Sequence, residues 1–286
     1  MGAGSKIAWT DDTFNPWWGC TKVSPGCARC YAEALDKRVG GDHFGQGQPR
    51  RTFGEKHWAG PLRWDRQAAE AGRPRFVFSG SMCDVFDEEG PEAERDRLWK
   101  LIEATPHLTW LLLTKRPENH EMVPLAWQTG TRRPANVWFG ATAEDQKRLD
   151  ERVPGVMEAP WPAVRFISWE PALGPLDFLH VAWPGQGGHM VDVFRRGFWS
   201  DDWGFVNHSD MPLRISWVIA GGESGAHARP MDEAWVRAVR DQCLAEGADV
   251  AFFYKQRWET GRKVEMPLLD GVRYDVRPGQ TEAAPK

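Results

Sequence analysis

The sequence predicts an α/β fold, a parallel (β/α) barrel that is only partial, with about six or seven βα units. Three observations predict it. Seven short β-rich apolar runs recur along the chain, they are continuous rather than alternating, and several of the stretches between them read as helices. Continuous apolar runs suit strands buried on both faces, as in a parallel sheet covered by helices. Repeated strand-then-helix order predicts right-handed crossovers.

The runs are "KIAW" (6–9), "RFVFSG" (75–80), "TWLLLT" (109–114), "VWFGAT" (137–142), "VRFISW" (164–169), "SWVIAGG" (216–222) and "VAFFYK" (250–255). Between them, "PEAERDRLWKLIEA" begins at Pro91, has acidic residues in its first turn and sets Leu98, Leu101 and Ile102 on one side, the marks of an amphipathic helix. "DEAWVRAVRDQCLAEG" offers Asp232 as N-cap, a stripe of Trp235, Val236, Val239 and Cys243, and Gly247 as the stop, so Cys243 reads as a small core residue. Two regions break the pattern. Residues 40–64 are rich in Gly and in basic or aromatic side chains, and residues 180–214 form a long insertion carrying Trp183, Phe194, Phe198, Trp199, Trp203 and Phe205. A loop of that length with so many aromatics is expected to fold over something. We expect a lid with Trp199 or Trp203 turned toward substrate, the alternative being an extra structural layer. Residues 1–275 read as one catalytic domain and 276–286 as a flexible tail.

Composition narrows the function. The 36 Lys and Arg stand against 40 Asp and Glu, a net charge of −4, which argues against a generally basic protein that grips phosphates. No apolar run reaches the roughly 18 residues of a membrane span, so we expect no membrane partner and a cytoplasmic location. There disulfides are rare, and five cysteines point to metal binding or chemistry instead.

Three of the five fall in "WWGCTKVSPGCARCYAEAL" (17–35), as Cys20, Cys27 and Cys30 with the spacing C-x6-C-x2-C. Pro25 and Gly26 bend the loop before the second, and helical sequence follows the third. A structural zinc site takes four protein ligands, usually in two paired hooks, and one hook is present. Three thiolates suit a [4Fe-4S] cluster with one iron left open. A Cys3His zinc site completed by His43 or His57, and unrelated buried thiols, are the other readings.

A cysteine triad after the first strand, ending in Cys-Tyr and followed by βα units, resembles the radical S-adenosylmethionine (SAM) enzymes. The match is closest to a phage-associated, radical-SAM-like family with a three-cysteine motif and no assigned chemistry. It is carried by "NPWWGCTKVSPGCARCYAE", "SGSMCDVF", "LLLTKRP", "FGATAEDQ", "FISWEPALGPL", "VIAGGESGAHARPM" and "FFYKQRWE", across about residues 6–260. The loop departs from the commonest radical SAM motif in having six residues between its first two cysteines.

The resemblance implies that SAM chelates the open iron and is cleaved, after one-electron reduction by a flavodoxin- or ferredoxin-type donor, to a 5′-deoxyadenosyl radical. It implies a nucleobase or nucleic-acid substrate through the phage association. It places Ser79, Ser81 and Asp84 at the SAM amino group, although Asp84 is equally placed to cap a helix. Thr142 and Glu144 fall where the ribose hydroxyls are expected, although Glu144 also suits a first helical turn. Glu170, between a buried strand and Pro171, reads as a site residue. Gly221, Gly222, Glu223 and Ser224 would let backbone approach the adenine or methionine part of SAM. Lys115 with Arg116, Arg229 and Lys255 would bring cations to a carboxylate or an anionic substrate. Cys83 would be a hydrogen-atom donor, against the commoner fate of a buried small side chain. Two rival classes remain, a zinc-stabilised nucleic-acid-binding module and a SAM-independent iron-sulfur electron carrier.

Overall fold

Residues Arg75–Ser79 are paired in parallel on both sides, Val77 standing opposite Asp12 on one neighbour and opposite Trp110 on the other. These strands belong to a computed structural model that describes residues 4–184, 190–195, 197–200, 204–207, 214–225 and 227–279. The chain divides into two compact units, Met1–Gly140 with Ala159–Ala163, and Ala141–Glu158 with Val164–Lys286. The fold is mixed α/β and its main strands are mostly parallel, as expected.

The first unit holds β1 (Asp12–Phe14), β2 (Arg75–Ser79), β3 (Leu108–Thr114) and the start of β4 (Val137–Thr142), with helices α1 (Tyr31–Arg38), α2 (Glu55–Ala71), α3 (Glu92–Glu103) and α4 (Leu125–Gln128). In α3, Pro91 occupies the N-cap and Leu98, Leu101 and Ile102 are buried, the face read from the sequence. Much of the tryptophan content is core. Trp9, Trp17, Trp110, Trp127 and Trp161 are fully buried, and Phe139 bridges Trp161 and Phe86 at ring-centroid distances of 4.7 and 5.2 Å. Each such ring removes about 150–250 Å² from water, an upper estimate of about 4–6 kcal/mol apiece at about 25 cal/mol per Å².

Two sequence expectations are corrected here. The run at 6–9 is not a strand. It lies in turns closed by Thr10 N–H to the Ile7 carbonyl and Ser5 N–H to the Asp11 carbonyl, and the strand falls at Asp12–Phe14. Trp9 still reaches the core, tilted against Phe78 at 4.7 Å. The second correction is in residues 40–64, where α2 begins at Glu55 and runs through Gly60 and Pro61. From its glycine content and length this stretch reads as a loop, but Trp58, Trp64 and Ala68 set a buried helical face in it.

The second unit holds α5 (Gln146–Glu158), β5 (Val164–Trp169), β6 (Val181–Ala182), β7 (Met190–Asp192), β8 (Gly197–Ser200), β9 (Gly204–Asn207), β10 (Trp217–Gly221), α6 (Glu233–Leu244), β11 (Ala251–Glu259) and β12 (Arg262–Glu265). β10 pairs in parallel with β5 and β11, and β12 returns antiparallel on β11. Asp232 caps α6 by accepting from Ala234 N–H, and Cys243 is buried in its stripe. The helix ends at Leu244, before Gly247, which adopts a left-handed φ of 78°.

The 180–214 insertion contributes an antiparallel sheet in the order β6-β7-β8-β9. It is tied to its own unit by Phe194, which is buried and stacks on Phe178 at 4.6 Å, and by Val193 N–H to the Phe178 carbonyl. Trp203 and the side chains of Phe198, Trp199 and Phe205 lie outside the described residues. At the other end, Trp217 Nε1 donates to the Val276 carbonyl at 3.0 Å, so the chain is held at the start of the expected tail, of which 280–286 lie outside the described residues. Among the described residues no helix is long and apolar enough to cross a membrane.

Candidate functional site

The cysteine loop of the first unit is pinned at both sides of Gly19. Trp18 and Arg51 exchange backbone hydrogen bonds at 2.9 and 3.1 Å, Gly19 N–H donates to the Met82 carbonyl, and Gly45 N–H donates to the Cys20 carbonyl. Gly19 itself has a φ of 103°, and a Cβ there would lie 1.9 Å from the His43 carbonyl oxygen. Only glycine permits both the conformation and that approach.

Cys20, Cys27 and Cys30 are half-buried and free of disulfides. Cys27 ends a single 3₁₀ turn, Pro25–Cys27, and Cys30 is the N-cap of α1. Cys20 and Cys30 pack on one apolar patch of Ala32, Phe44 and Met82. Burial pushes the Cys20 thiol well up, with Asp84 and then Cys30 adding to the shift and Arg116 opposing it. Cys83 is buried, its backbone bridged to Gly19, and desolvation followed by the neighbouring Cys20 pushes its thiol up. Among the described residues no three His, Cys, Asp or Glu side chains are already grouped as a metal cage. His43 Nδ1 is paired with buried Asp36 at 2.8 Å and His57 Nε2 meets the Asn15 carbonyl at 2.8 Å.

The residues expected around SAM in this unit are placed unequally. Ser79 is buried with its hydroxyl lacking a partner among the described residues. Ser81 Oγ accepts from Asn15 Nδ2 at 3.0 Å, and its carbonyl accepts from Tyr31 Oη. Asp84 is saturated by the protein. Its Oδ1 accepts from Phe86 N–H and Thr114 Oγ1, and its Oδ2 from Lys115 N–H and Arg116 Nη1.

In the second unit Glu170 and Lys255 come together, Nζ to Oε1 at 2.7 Å, and Ser168 Oγ donates to Oε2 at 3.1 Å. Gly221 sits against this pair. A Cβ on it would come within 2.6 Å of Glu170 Oε1, whereas at Gly222 the nearest atoms stand 3.6 Å off. Gly222 is tied to Gln256, which donates from Nε2 to its carbonyl and accepts its N–H on the backbone carbonyl. Glu223 accepts from Arg229 through Nε, Nη2 and backbone N–H, a fork that raises the arginine's pKa further. Ser224 is exposed. Thr142 and Glu144 are buried, the Thr142 carbonyl and Glu144 Oε2 both accepting from Arg152 Nη1 at 2.7 and 2.6 Å.

Sequence reasoning missed Asn15, Thr21, Arg50, Asp87, Arg152 and Ser168. Asn15, Thr21 and Ser168 lie inside blocks that carry the resemblance and Arg50 in the glycine-rich 40–64 stretch, whereas Arg152 carried no signal and Asp87 reads as an ordinary loop acid. One family model, described as "Protein of unknown function (DUF5131)", matches residues 4–278. No curated protein matches the chain, and no solved structure does.

Proposed function

The chain belongs to this family of unknown function, and from that premise we propose that it is a radical SAM enzyme on a partial parallel barrel, holding a [4Fe-4S] cluster through Cys20, Cys27 and Cys30. The observation that carries the reading is the thiol set: three free, half-buried cysteines in one pinned loop, two of them on a shared apolar patch. In donor type, number and shielding from water these residues suit a thiolate-bound iron-sulfur group with an open position. Both histidines of the alternative zinc reading, His43 and His57, are engaged by protein partners instead.

When bound, the cluster and SAM would supply a 5′-deoxyadenosyl radical by one-electron reductive cleavage. The protein's own part is to bind and to shield. Within the second unit Glu170 and Lys255 present opposite charges 2.7 Å apart, a pair suited to polar groups of SAM. Gly221 carries no side chain and so leaves room for the Glu170 carboxylate of that pair. Glu144 is held by Arg152 and Glu223 by Arg229, which favours a role in shaping the second unit over direct contact with the ribose for Glu144 and with the adenine or methionine part for Glu223. Cys83 is the hydrogen-atom donor of this scheme, and a flavodoxin- or ferredoxin-type protein the electron source. A nucleobase or nucleic acid is the proposed substrate.

Anaerobic reconstitution with iron and sulfide, followed by reduction in the presence of SAM, tests the proposal. The expected result is about four irons per chain with matching sulfide and release of 5′-deoxyadenosine. Single Ala replacements at Cys20, Cys27 or Cys30 should abolish iron binding, while Cys243→Ser should leave iron unchanged. Zinc without iron or sulfide would point to the non-catalytic module, and iron without SAM cleavage to an electron carrier.

A further inference from the structure

Thr21, the residue after Cys20, is gripped at every polar group it has. Its N–H donates to Asp87 Oδ2 at 2.9 Å, its carbonyl accepts from Arg116 Nη2 at 2.7 Å, and its hydroxyl accepts from Arg50 Nη2 at 3.0 Å. The three side chains that do this are charged and buried, at 2% exposure for Asp87 and Arg50 and 8% for Arg116. They are also joined to one another. Arg50 Nη2 donates to Asp87 Oδ2 at 3.1 Å, Arg116 lies 3.5 Å from Asp87 Oδ1, and Arg116 Nη1 donates to Asp84. Arg50 Nη1 further donates to the Gly45 carbonyl, and Gly45 N–H in turn holds the Cys20 carbonyl. Arg95 closes the far side by donating to the Asp87 and Val85 carbonyls.

Burying charged groups around one threonine is expensive unless each is paired, and here every one is. A surface loop with no further task would not need it. The adjoining cysteine is the group whose position this arrangement fixes, whereas Cys27 sits beyond it on a single 3₁₀ turn with Ser24 Oγ at 3.9 Å from its sulfur.

We propose that Asp87, Arg50 and Arg116 are positioning residues that clamp Thr21, fix Cys20 as the rigid anchor of the cysteine triad, and set the electrostatic field at its sulfur. The assignment of that triad to an iron-sulfur group is the reading given above, and the clamp is tested with and without it. In the metal-free protein, iodoacetamide alkylation followed peptide by peptide should modify Cys27 several-fold faster than Cys20. Asp87→Asn and the charge-neutral Thr21→Val should each speed Cys20 several-fold and leave Cys27 within about twofold, with buried Cys83 still protected as the sign of an intact first unit. An unchanged Cys20 rate in both variants would overturn the clamp. Should Asp87→Asn lose its fold, Thr21→Val decides alone, because it removes only the hydroxyl that accepts from Arg50 and donates to Asp87, and an unaltered Cys20 rate there overturns the clamp.

In iron-loaded protein Asp87→Asn and Arg116→Gln read the field. Removing the Asp87 charge should shift the reduction potential upward and removing the Arg116 charge should shift it downward. Shifts of the same sign, or none, would discard the field. Failure of wild-type protein to take up iron would sink the iron-sulfur reading and leave the alkylation result to decide the clamp by itself.

Discussion

Lys255 Nζ lies 2.7 Å from Glu170 Oε1, and Gly221 is packed so that a Cβ on it would come within 2.6 Å of that same oxygen. A side chain at 221 would therefore have to displace the Glu170 carboxylate. Two neighbouring glycines of one turn, Gly221 and Gly222, consequently differ in what they tolerate.

Gly221→Ala should displace the Glu170 carboxylate and weaken SAM binding by tenfold or more, about 1.4 kcal/mol or greater. Gly222→Ala has contacts at 3.6 Å and should bind SAM within about twofold of wild type. Glu170→Gln should weaken binding while retaining iron. Isothermal titration against SAM checks all three, and equal effects at the two glycines would remove Gly221 from the pocket.

Gly19→Ala places a methyl group 1.9 Å from the His43 carbonyl oxygen at a φ of 103°. The left-handed backbone costs about 1–2 kcal/mol for a residue with a Cβ, and the overlap with a backbone atom about 1–3 kcal/mol more. Chemical denaturation should show that loss. Because the same contact seats the loop before Cys20, iron uptake should fall in step with stability. Wild-type stability in this variant would mean that the 42–45 segment yields freely.

His57 is stacked between Phe14 at 4.7 Å and Phe53 at 4.4 Å, and burial lowers its pKa below the ordinary 6.5 despite the opposing hydrogen bond to the Asn15 carbonyl. A lowered histidine pKa means that the unfolded chain still holds a proton that the folded chain has released. Stability from this group is therefore full above pH 6.5 and is lost as the pH falls from there toward the folded-state pKa. Melting curves between about pH 5 and 8 should show this slope in wild type, and His57→Phe should flatten it. An identical slope in the variant would assign the dependence to other groups.

The sequence was legible where one pattern governed one element. Continuous apolar runs located β2, β3, β5, β10 and β11 to within a residue or two at their starts, because strands buried on both faces leave no other composition open. α2 was hidden because it starts inside the glycine-rich 40–64 stretch, while what decides is the buried face of Trp58, Trp64 and Ala68 formed only on folding. The site divided in the same way. Cysteine spacing is local and readable, whereas the grip on Thr21 joins residues 29, 66 and 95 positions away, and no local pattern announces such a contact. Asp84 shows the reverse case: its place in "SGSMCD" suits a ligand contact, but four donors from the protein fill both of its oxygens.

The aromatic insertion gives the last prediction. Its first part is structural, since Val191, Val193 and Phe194 are buried and Phe194 stacks on Phe178. A deletion reaching into these residues removes core from the second unit, and Phe194→Ala alone should cost about 3–5 kcal/mol. The lid expectation rests instead on the hairpin of β8 and β9, paired Gly197 to Asn207 and Ser200 to Gly204. Replacing 198–206 with a short Gly-Ser turn leaves β7 and Phe194 in place. Iron binding should survive, because the thiols belong to the first unit, and SAM binding should stay within about threefold. If the hairpin is a lid, 5′-deoxyadenosine formation should continue while product formation from substrate falls by at least tenfold, the uncoupling expected when water reaches a site that closure had sealed. Full coupled turnover in the shortened protein, measured as the ratio of product to 5′-deoxyadenosine, would make the hairpin an outer layer and retire the lid.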